Sequence, residues 1–488
     1  MQTDFMNTGV AFLAGITVIA GILSLFALLA GRVRPHTLAI GFAGVALQWA
    51  LAYIAMIGVG LWLGELLFAC MVLVPVAVGV CAARFARSQA SALGAGLVGG
   101  VVNLLIVGSV VGGKDANAAV VEAIVWSVGL LVASGALAAI GGHIARRFPA
   151  HEHKLPPPIS LFAMVAASTI FLLLVTGGLV TGLEAGLTVP DWPNSFGHNM
   201  LLYPISQMKG GVYYEHAHRL FGMLVGLNAF TLAALCWRHE TRAWVRWLAT
   251  AALLMVCVQG LMGGLRVTGN LTLSQDPSLL QPSTAIAIVH GIFGQIVFAT
   301  VAVIAAVTSG AWLAQTQPML VRGAVATRTI TLIAFLALLL QLFLGACYRH
   351  LQIPPTEVGK SITHPTWAMH GHLGFSIVAL LLIILAASRL AAIGRVNAQA
   401  KPLARAATCM VLIVAIQVAL GLVAYAAVLM RRGPDVPLWE LLSTTAHQST
   451  GALLLTATVQ GAIWSRRLLS PTQVRPIRPG ATATAVSA

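Results

Sequence analysis

Four histidines in the last two-thirds of the chain share one pattern. They stand in His218-Arg-Leu-Phe-Gly222, His290-Gly-Ile-Phe-Gly294, His370-Gly-His-Leu-Gly374 and His447-Gln-Ser-Thr-Gly451. Each is followed by a glycine four positions on, which a helix stacks on the same face. That glycine removes a side chain one turn beyond the imidazole, so something flat can lie against the backbone. Between the histidine segments runs a second motif: Gln259-Gly-Leu-Met-Gly263, Gln341-Leu-Phe-Leu-Gly345 and Gln417-Val-Ala-Leu-Gly421. Its earliest counterpart, Leu173 to Gly177, keeps only the glycine. Alternation of this regularity is the mark of duplicated helix pairs. Glu215 adds an acid three residues before His218 in Glu215-His-Ala-His-Arg219, on the same side of a helix.

All these groups lie in strongly apolar surroundings. The 488 residues are 58% hydrophobic and 8% charged, against about 25% charged in a soluble domain. Apolar stretches of twenty or more residues recur, each long enough to cross a hydrocarbon core of about 30 Å. The reading is an all-α polytopic membrane protein with thirteen spans, near 9–30, 37–57, 61–83, 92–112, 118–142, 160–182, 213–236, 247–267, 284–308, 329–348, 364–386, 406–427 and 443–464. The last eight form two repeated four-helix bundles, 160–308 and 329–465, joined by an inner connection at 309–328. A five-span region, 1–145, precedes them through a linker at 146–159, and a polar, disordered tail follows at 466–488.

Charge sets the expected orientation. With the N-terminus outside, inner segments carry twenty of the twenty-eight Lys and Arg residues, among them Arg32, Arg84, Arg146, Arg242, Arg328, Arg389 and Arg466. The positive-inside rule therefore puts the C-terminus in the cytoplasm and the protein in the cell's inner or plasma membrane. The net charge of +15 is spread over short clusters at helix ends, which excludes a nucleic-acid face. The six cysteines form no CxxC or CxxCH, which argues against zinc ribbons and covalent c-type haem. The first apolar run follows Asp4 and is too long for a signal peptide.

In this orientation every repeat histidine falls in the first two turns of a span running from outside to inside. Four imidazoles at one depth need partners, and they suit two bis-histidine haem irons. His372 breaks the repeat, so the third ligand is His370 or His372, with His370 the repeat member. His198, His350 and His364 are expected to be solvated near outer loops; His36, His143, His151, His153 and His239 fall at inner ends. Glu215 would move protons or stabilise a cation beside the haem, or else pair with Arg219. Arg266, Arg349, Arg431 and Arg432 are placed to meet haem propionates or to anchor the outer interface. The outer loop 183–212, with Gly186-Leu-Thr-Val-Pro-Asp-Trp-Pro193, is expected to be a structured lid.

Through the eight-span repeat, Glu215-x-x-His218-Arg219, the loop from Gly186 to Trp192 and the Gln-x-x-x-Gly spans, residues 160–465 resemble the haem A synthase family. The resemblance implies oxidation of the C8 methyl of haem O to the formyl group of haem A, for cytochrome oxidase biogenesis. It implies haem O as substrate between His218 and His290, haem b between His370 and His447, and Glu215 as the acid at the reacting carbon. It also implies partners: a haem O synthase as donor, a membrane electron donor and the oxidase assembly pathway; a homo-oligomer is left open. The loop cysteine pair of some members is absent. The five N-terminal spans lie outside the resemblance. The rival readings are a dihaem cytochrome b fed by quinol and a transporter.

Overall fold

The computed structural model describes residues 32–471 apart from 58–59, 87, 113–115, 149–154, 272–275, 277, 279 and 316. The first expected span, 9–30, and the tail beyond 471 lie outside the described residues. The protein is a multi-pass all-α membrane protein. Eleven of its described helices are long and apolar enough to cross a membrane. In hydrocarbon the backbone must satisfy its own hydrogen bonds, and among open chains only the helix does so.

Four helices form an N-terminal unit: α1 (Pro35–Met56), α2 (Leu61–Ala86), α3 (Gln89–Val111) and α4 (Ala116–Ala145). Small residues let them approach closely. A Cβ on Gly41 would lie 2.7 Å from Val98, and one on Gly96 would collide with Ala138. Eight further helices follow: α5 (Pro158–Gly182), α6 (Gly211–His239), α7 (Ala243–Thr268), α8 (Thr284–Val307), α9 (Ala324–His350), α10 (Thr366–Val396), α11 (Lys401–Met430) and α12 (Leu438–Leu468). These twelve helices answer, one for one, the twelve expected spans that fall in the described region. Gly60, near which the sequence division between the second and third spans is weakest, falls in the break between α1 and α2, and Gly58 lies outside the described residues.

Helix ends follow local chemistry. Pro35, Pro158 and Pro402 sit in first turns, where no intrahelical N–H is required. The Ser283 hydroxyl accepts from the Ile286 amide at the start of α8, and Gly269 closes α7 with φ at 74°. The eight helices pack as two bundles, α5–α8 and α9–α12, that meet along α5, α8, α9 and α12. α12 carries too many polar residues to read as a lipid-facing span, because it lies at that junction. Its Glu440, Ser443, Thr445, Ser449, Thr458 and Ser465 are buried. Gln460 donates across the junction to the main-chain oxygen of Ala302 at 2.9 Å.

Candidate functional site

The even-numbered helices α6, α8, α10 and α12 each bring one histidine to the same level, and the helix before each supplies a glycine facing it. A Cβ on Gly177, Gly263, Gly345 or Gly421 would sit 2.9, 3.2, 2.7 or 2.8 Å from Cε1 of His218, His290, His372 or His447. The glycine of the Gln-x-x-x-Gly motif thus makes room for the neighbouring imidazole ring. Thr176 Oγ1 lies 3.0 Å from His218 Nδ1, and the Nδ1 atoms of His372 and His447 lie 3.2 and 3.1 Å from the main-chain oxygens of Gln341 and Gln417. A carbonyl only accepts, so in His447 the proton sits on Nδ1 and Nε2 keeps its lone pair, while His372 Nδ1 has both the Gln341 main-chain oxygen and, at 3.1 Å, the Gln341 side-chain nitrogen beside it. The motif glutamines brace the same helices. Gln259 and Gln341 donate to the main-chain oxygens of His290 and His372 at 2.8 and 2.9 Å.

All four imidazoles open on one cavity of about 910 Å³ that runs through both bundles. The walls near the histidines are glycine-rich. A Cβ on Gly222, Gly226 or Gly260 would meet nothing within 4 Å, so these backbone stretches face open space. His372 and His447 face each other with ring centroids 6.3 Å apart and planes at 88°. A metal–imidazole bond is about 2 Å, so a centroid separation of 6.3 Å leaves room for one metal atom between the two rings. The oxygens of Gln259, Gln341 and Gln417 are buried without hydrogen-bond partners. Among the described residues no cluster of three or more metal-binding side chains occurs. Two axial imidazoles per metal, with the equatorial positions filled by a macrocycle, are the arrangement these donors fit.

Four of the expected site residues, Glu215, His218, His290 and His447, line this cavity. His370 does not. It is exposed on the far side of α10, and the side chain that completes the set is His372. The correction is one of helical phase: residues two apart point to different faces. His370-x-x-x-Gly374 copies the repeat by coincidence, and Gly374 is exposed with nothing near it. The informative signal is the interval from the motif glutamine. It is 31 residues from Gln259 to His290, 31 from Gln341 to His372 and 30 from Gln417 to His447. His350 also lines the cavity rather than standing in solvent.

Glu215 is buried and has two partners. Arg219 bonds one oxygen at 2.9 Å, and the Val189 amide donates to the other at 2.8 Å. Arg219 also donates to the main-chain oxygens of Val189, Asp191 and Asn194. The Glu215–Arg219 pair therefore both faces the cavity and pins the outer loop over it. That loop is a built lid, as its prolines and tryptophan suggest. Strands β1 (Asn194–Ser195) and β2 (His198–Asn199) pair across a tight turn at Phe196 and Gly197, both with positive φ. The Asp191 carboxylate accepts from both turn amides, at 2.7 and 2.8 Å. His216 is fully buried beneath, 3.1 Å from Ser195 Oγ and against the Tyr203 ring, and takes no part in the cavity wall. Burial, with the Asp191 charge, pushes the Tyr203 hydroxyl up from its usual range.

The arginines divide. Arg266 and Arg349 line the cavity. Arg431 is buried and committed, to Glu184 at 2.8 Å, to Glu440 at 3.5 Å and to the main-chain oxygens of Gly433 and Pro434. Arg432 is exposed and bonds the main-chain oxygens of Leu429 and Arg431.

Fold and site together define a helical membrane protein with duplicated histidine–glycine hairpins around a shared cavity. The family model described as COX15-CtaA, cytochrome oxidase assembly protein, matches residues 160–459, and the chain belongs to that family. Membership gives it a role in cytochrome oxidase assembly, as an enzyme of haem A biosynthesis. Comparison with curated proteins gave no match.

Proposed function

We propose that the protein oxidises the C8 methyl of haem O to the formyl group of haem A. Substrate haem O would sit in the α5–α8 bundle between His218 and His290, and a resident haem b in the α9–α12 bundle between His372 and His447. The observation that carries this reading is the fourfold placement of an imidazole against a glycine, opening on one cavity. A difference between the bundles supports this placement of the substrate. Among the described residues, only the first has the lid and a carboxylate at the cavity wall beside a histidine, in Glu215 three residues from His218.

A bound haem b would supply one-electron transfer within the low-dielectric bundle. The protein's own groups do the rest. His218, His290, His372 and His447 would present ring nitrogens to the cavity, the rings of His218, His372 and His447 held by Thr176 or by the paired helix. Arg266 and Arg349 would pair with propionates by charge-assisted bonds. Glu215, held by Arg219 and the Val189 amide, offers negative charge to a methyl carbon that becomes electron-poor as it is oxidised. The lid, with Trp192, Pro193 and Asn194 at the cavity, excludes water from the reacting edge. In the membrane the N-terminus would lie outside and the C-terminus in the cytoplasm. A haem O synthase would deliver substrate and a membrane redox partner would exchange electrons.

The test is extraction of non-covalent haem from the purified protein, with identification by chromatography and mass. Haem O, its hydroxylated product or haem A beside haem B is the expected result. Haem B alone, two per chain, would instead indicate a dihaem electron carrier, and a colourless protein would overturn the haem reading altogether.

A further inference from the structure

The N-terminal unit lies outside the family match, yet it touches the first-half site through two contacts. On α3, Gly108 and Gly112 lie one turn apart against the lid's short turn at Met200–Leu202. A Cβ on Gly108 would come 2.9 Å from the Leu202 side chain, and one on Gly112 would lie 3.1 Å from the Leu202 carbonyl carbon. Between them Ser109 donates to the main-chain oxygen of Leu201 at 3.3 Å. One turn earlier on the same face, Leu105 reaches the cavity wall beside Met200 and Leu201.

The second contact is with the helix bearing Glu215 and His218. On α1, Tyr53 stacks on Tyr213 with centroids 5.3 Å apart and planes at 27°, and the Tyr213 hydroxyl donates to the Tyr53 main-chain oxygen at 2.7 Å. Two turns further along α6, Trp49 packs edge-on to Phe221 at 5.5 Å. The Trp49 indole is fixed in turn by Asn103 of α3 at 2.8 Å, and Asn103 by Gln48 at 2.9 Å. Tyr213 and Phe221 bracket Glu215 and His218 in sequence. The aromatic contacts therefore hold the helix turns that carry the acid and the first histidine.

We propose that the N-terminal unit is a positioning module for the first-half site: α3 seats the lid, and α1 clamps the outer end of α6. This rests on the reading of α5–α8 as the substrate half. It gives a purpose to a glycine pair whose absent side chains admit lid backbone, and to a polar chain, Gln48–Asn103–Trp49, that is otherwise a cost inside a membrane. Among the described residues, no helix of the N-terminal unit packs closely against the α9–α12 bundle. Removing the unit's support should disturb one bundle and spare the other.

The test uses the full-length protein with Gly108→Leu, which pushes the lid off its seat, and Tyr53→Ala, which removes the stacked ring but keeps the accepting carbonyl. Gly129→Leu on α4 is the control, since a Cβ there meets nothing within 4 Å. Hydrogen exchange is followed in lid peptides covering 186–208, together with haem A yield and the spectrum of each bundle's haem. In both variants lid exchange should rise about tenfold and haem A yield should fall, with the second-half spectrum and the control unchanged. Wild-type lid exchange and yield in Tyr53→Ala would overturn the proposal. So would equal loss of both haem signals, which is general misassembly. If Gly108→Leu does not accumulate, Tyr53→Ala decides alone. If the wild type carries no haem, the proposed function falls, and lid exchange still decides the positioning role.

Discussion

Gly345→Ala is the smallest change that should empty the second bundle. The added Cβ would stand 2.7 Å from Cε1 and 3.0 Å from Nδ1 of His372. Carbon atoms rest comfortably about 3.5–4.0 Å apart, so the ring must retreat by roughly 1 Å or α9 and α10 must part. His372 and His447 face each other with room for one metal atom between their rings, and a metal–nitrogen bond is only about 2 Å long. A retreat of half a bond length removes one axial ligand. Loss of an orienting partner alone typically costs about 10–100-fold in metal affinity, so at least a tenfold loss of second-half haem is expected. Haem B per chain, and the low-spin spectrum of a bis-imidazole iron, would measure it. Gly374→Ala is the paired control: its Cβ meets nothing, and it should bind haem as the wild type does. Full occupancy with an unchanged spectrum in Gly345→Ala would refute the argument that glycine size sets the position of the ring.

His372→Ala should abolish the second-half haem signal while His370→Ala leaves it intact; the reverse result would restore the register in which His370 is the ligand. Glu215→Gln keeps an acceptor for the Val189 amide but loses the charge facing Arg219. It should cut haem A yield by about tenfold or more with haem O still bound, and an undiminished yield in cells would remove Glu215 from the chemistry. Arg431→Met strands Glu440, which has the same buried cation for a partner, and should destabilise the protein by about 3–5 kcal/mol; a shift in detergent melting temperature too small to measure would contradict this. Glu240, between α6 and α7, is held below its ordinary pKa of 4.5, chiefly by its hydrogen bond to Arg242. A lowered pKa stabilises the fold above the unfolded-state value and ceases to do so as pH falls through the folded one. The melting curves of wild type and Glu240→Gln should therefore converge as pH falls below the ordinary carboxylate range, and a gap independent of pH would show that the ion pair contributes nothing.

Much of this was legible in the chain because membrane helices are dictated by length and apolarity, which need no partner to read. α12 is the exception: its serines and threonines keep it below the apolarity of the other spans, and its place in the histidine–glycine repeat marks it. The histidine level was legible too, because a repeat fixes depth. Which histidine of α10 faces inward was not, since His370 and His372 sit at nearly the same depth and differ only in angle. Angle is set by the partner helix, so the reference that resolves it lies on α9, in Gln341 and Gly345, and not on α10 itself. The lid was recognisable from its prolines, but its tether was not: Arg219 reads as a neighbour of His218, and only the fold shows it collecting the carbonyls of Val189, Asp191 and Asn194. Arg431 misleads for a similar reason. On a helix end it looks available to a propionate, whereas Glu184, far away in sequence, has already claimed it.

The asymmetry between the two bundles carries the functional argument further than their likeness does. Duplication explains four equivalent imidazoles, but it predicts four equivalent glutamines as well. On α5 the glutamine position is Leu173, and Thr176 takes over contact with the ring of His218. Gln259 in the first bundle and Gln341 in the second tie helix to helix through the histidine's backbone, whereas Gln417 approaches only the ring of His447 and the Thr176 hydroxyl only that of His218, which leaves α6 free of that tie. α6 is instead held from outside, by the lid through Arg219 and by α1 through Tyr213 and Phe221. A bundle that keeps a resident group gains from ties that never open. A bundle that must take in one haem and release another gains from a wall whose bonds run to a loop. That freedom of α6, with the lid and Glu215, supports the proposal that substrate binds in α5–α8. Restoring the tie with Leu173→Gln should slow exchange of haem O for haem A while leaving the bound spectrum unchanged. An exchange rate identical to the wild type's, measured by transfer to an apo-haem acceptor, would show that the missing glutamine has no part in turnover.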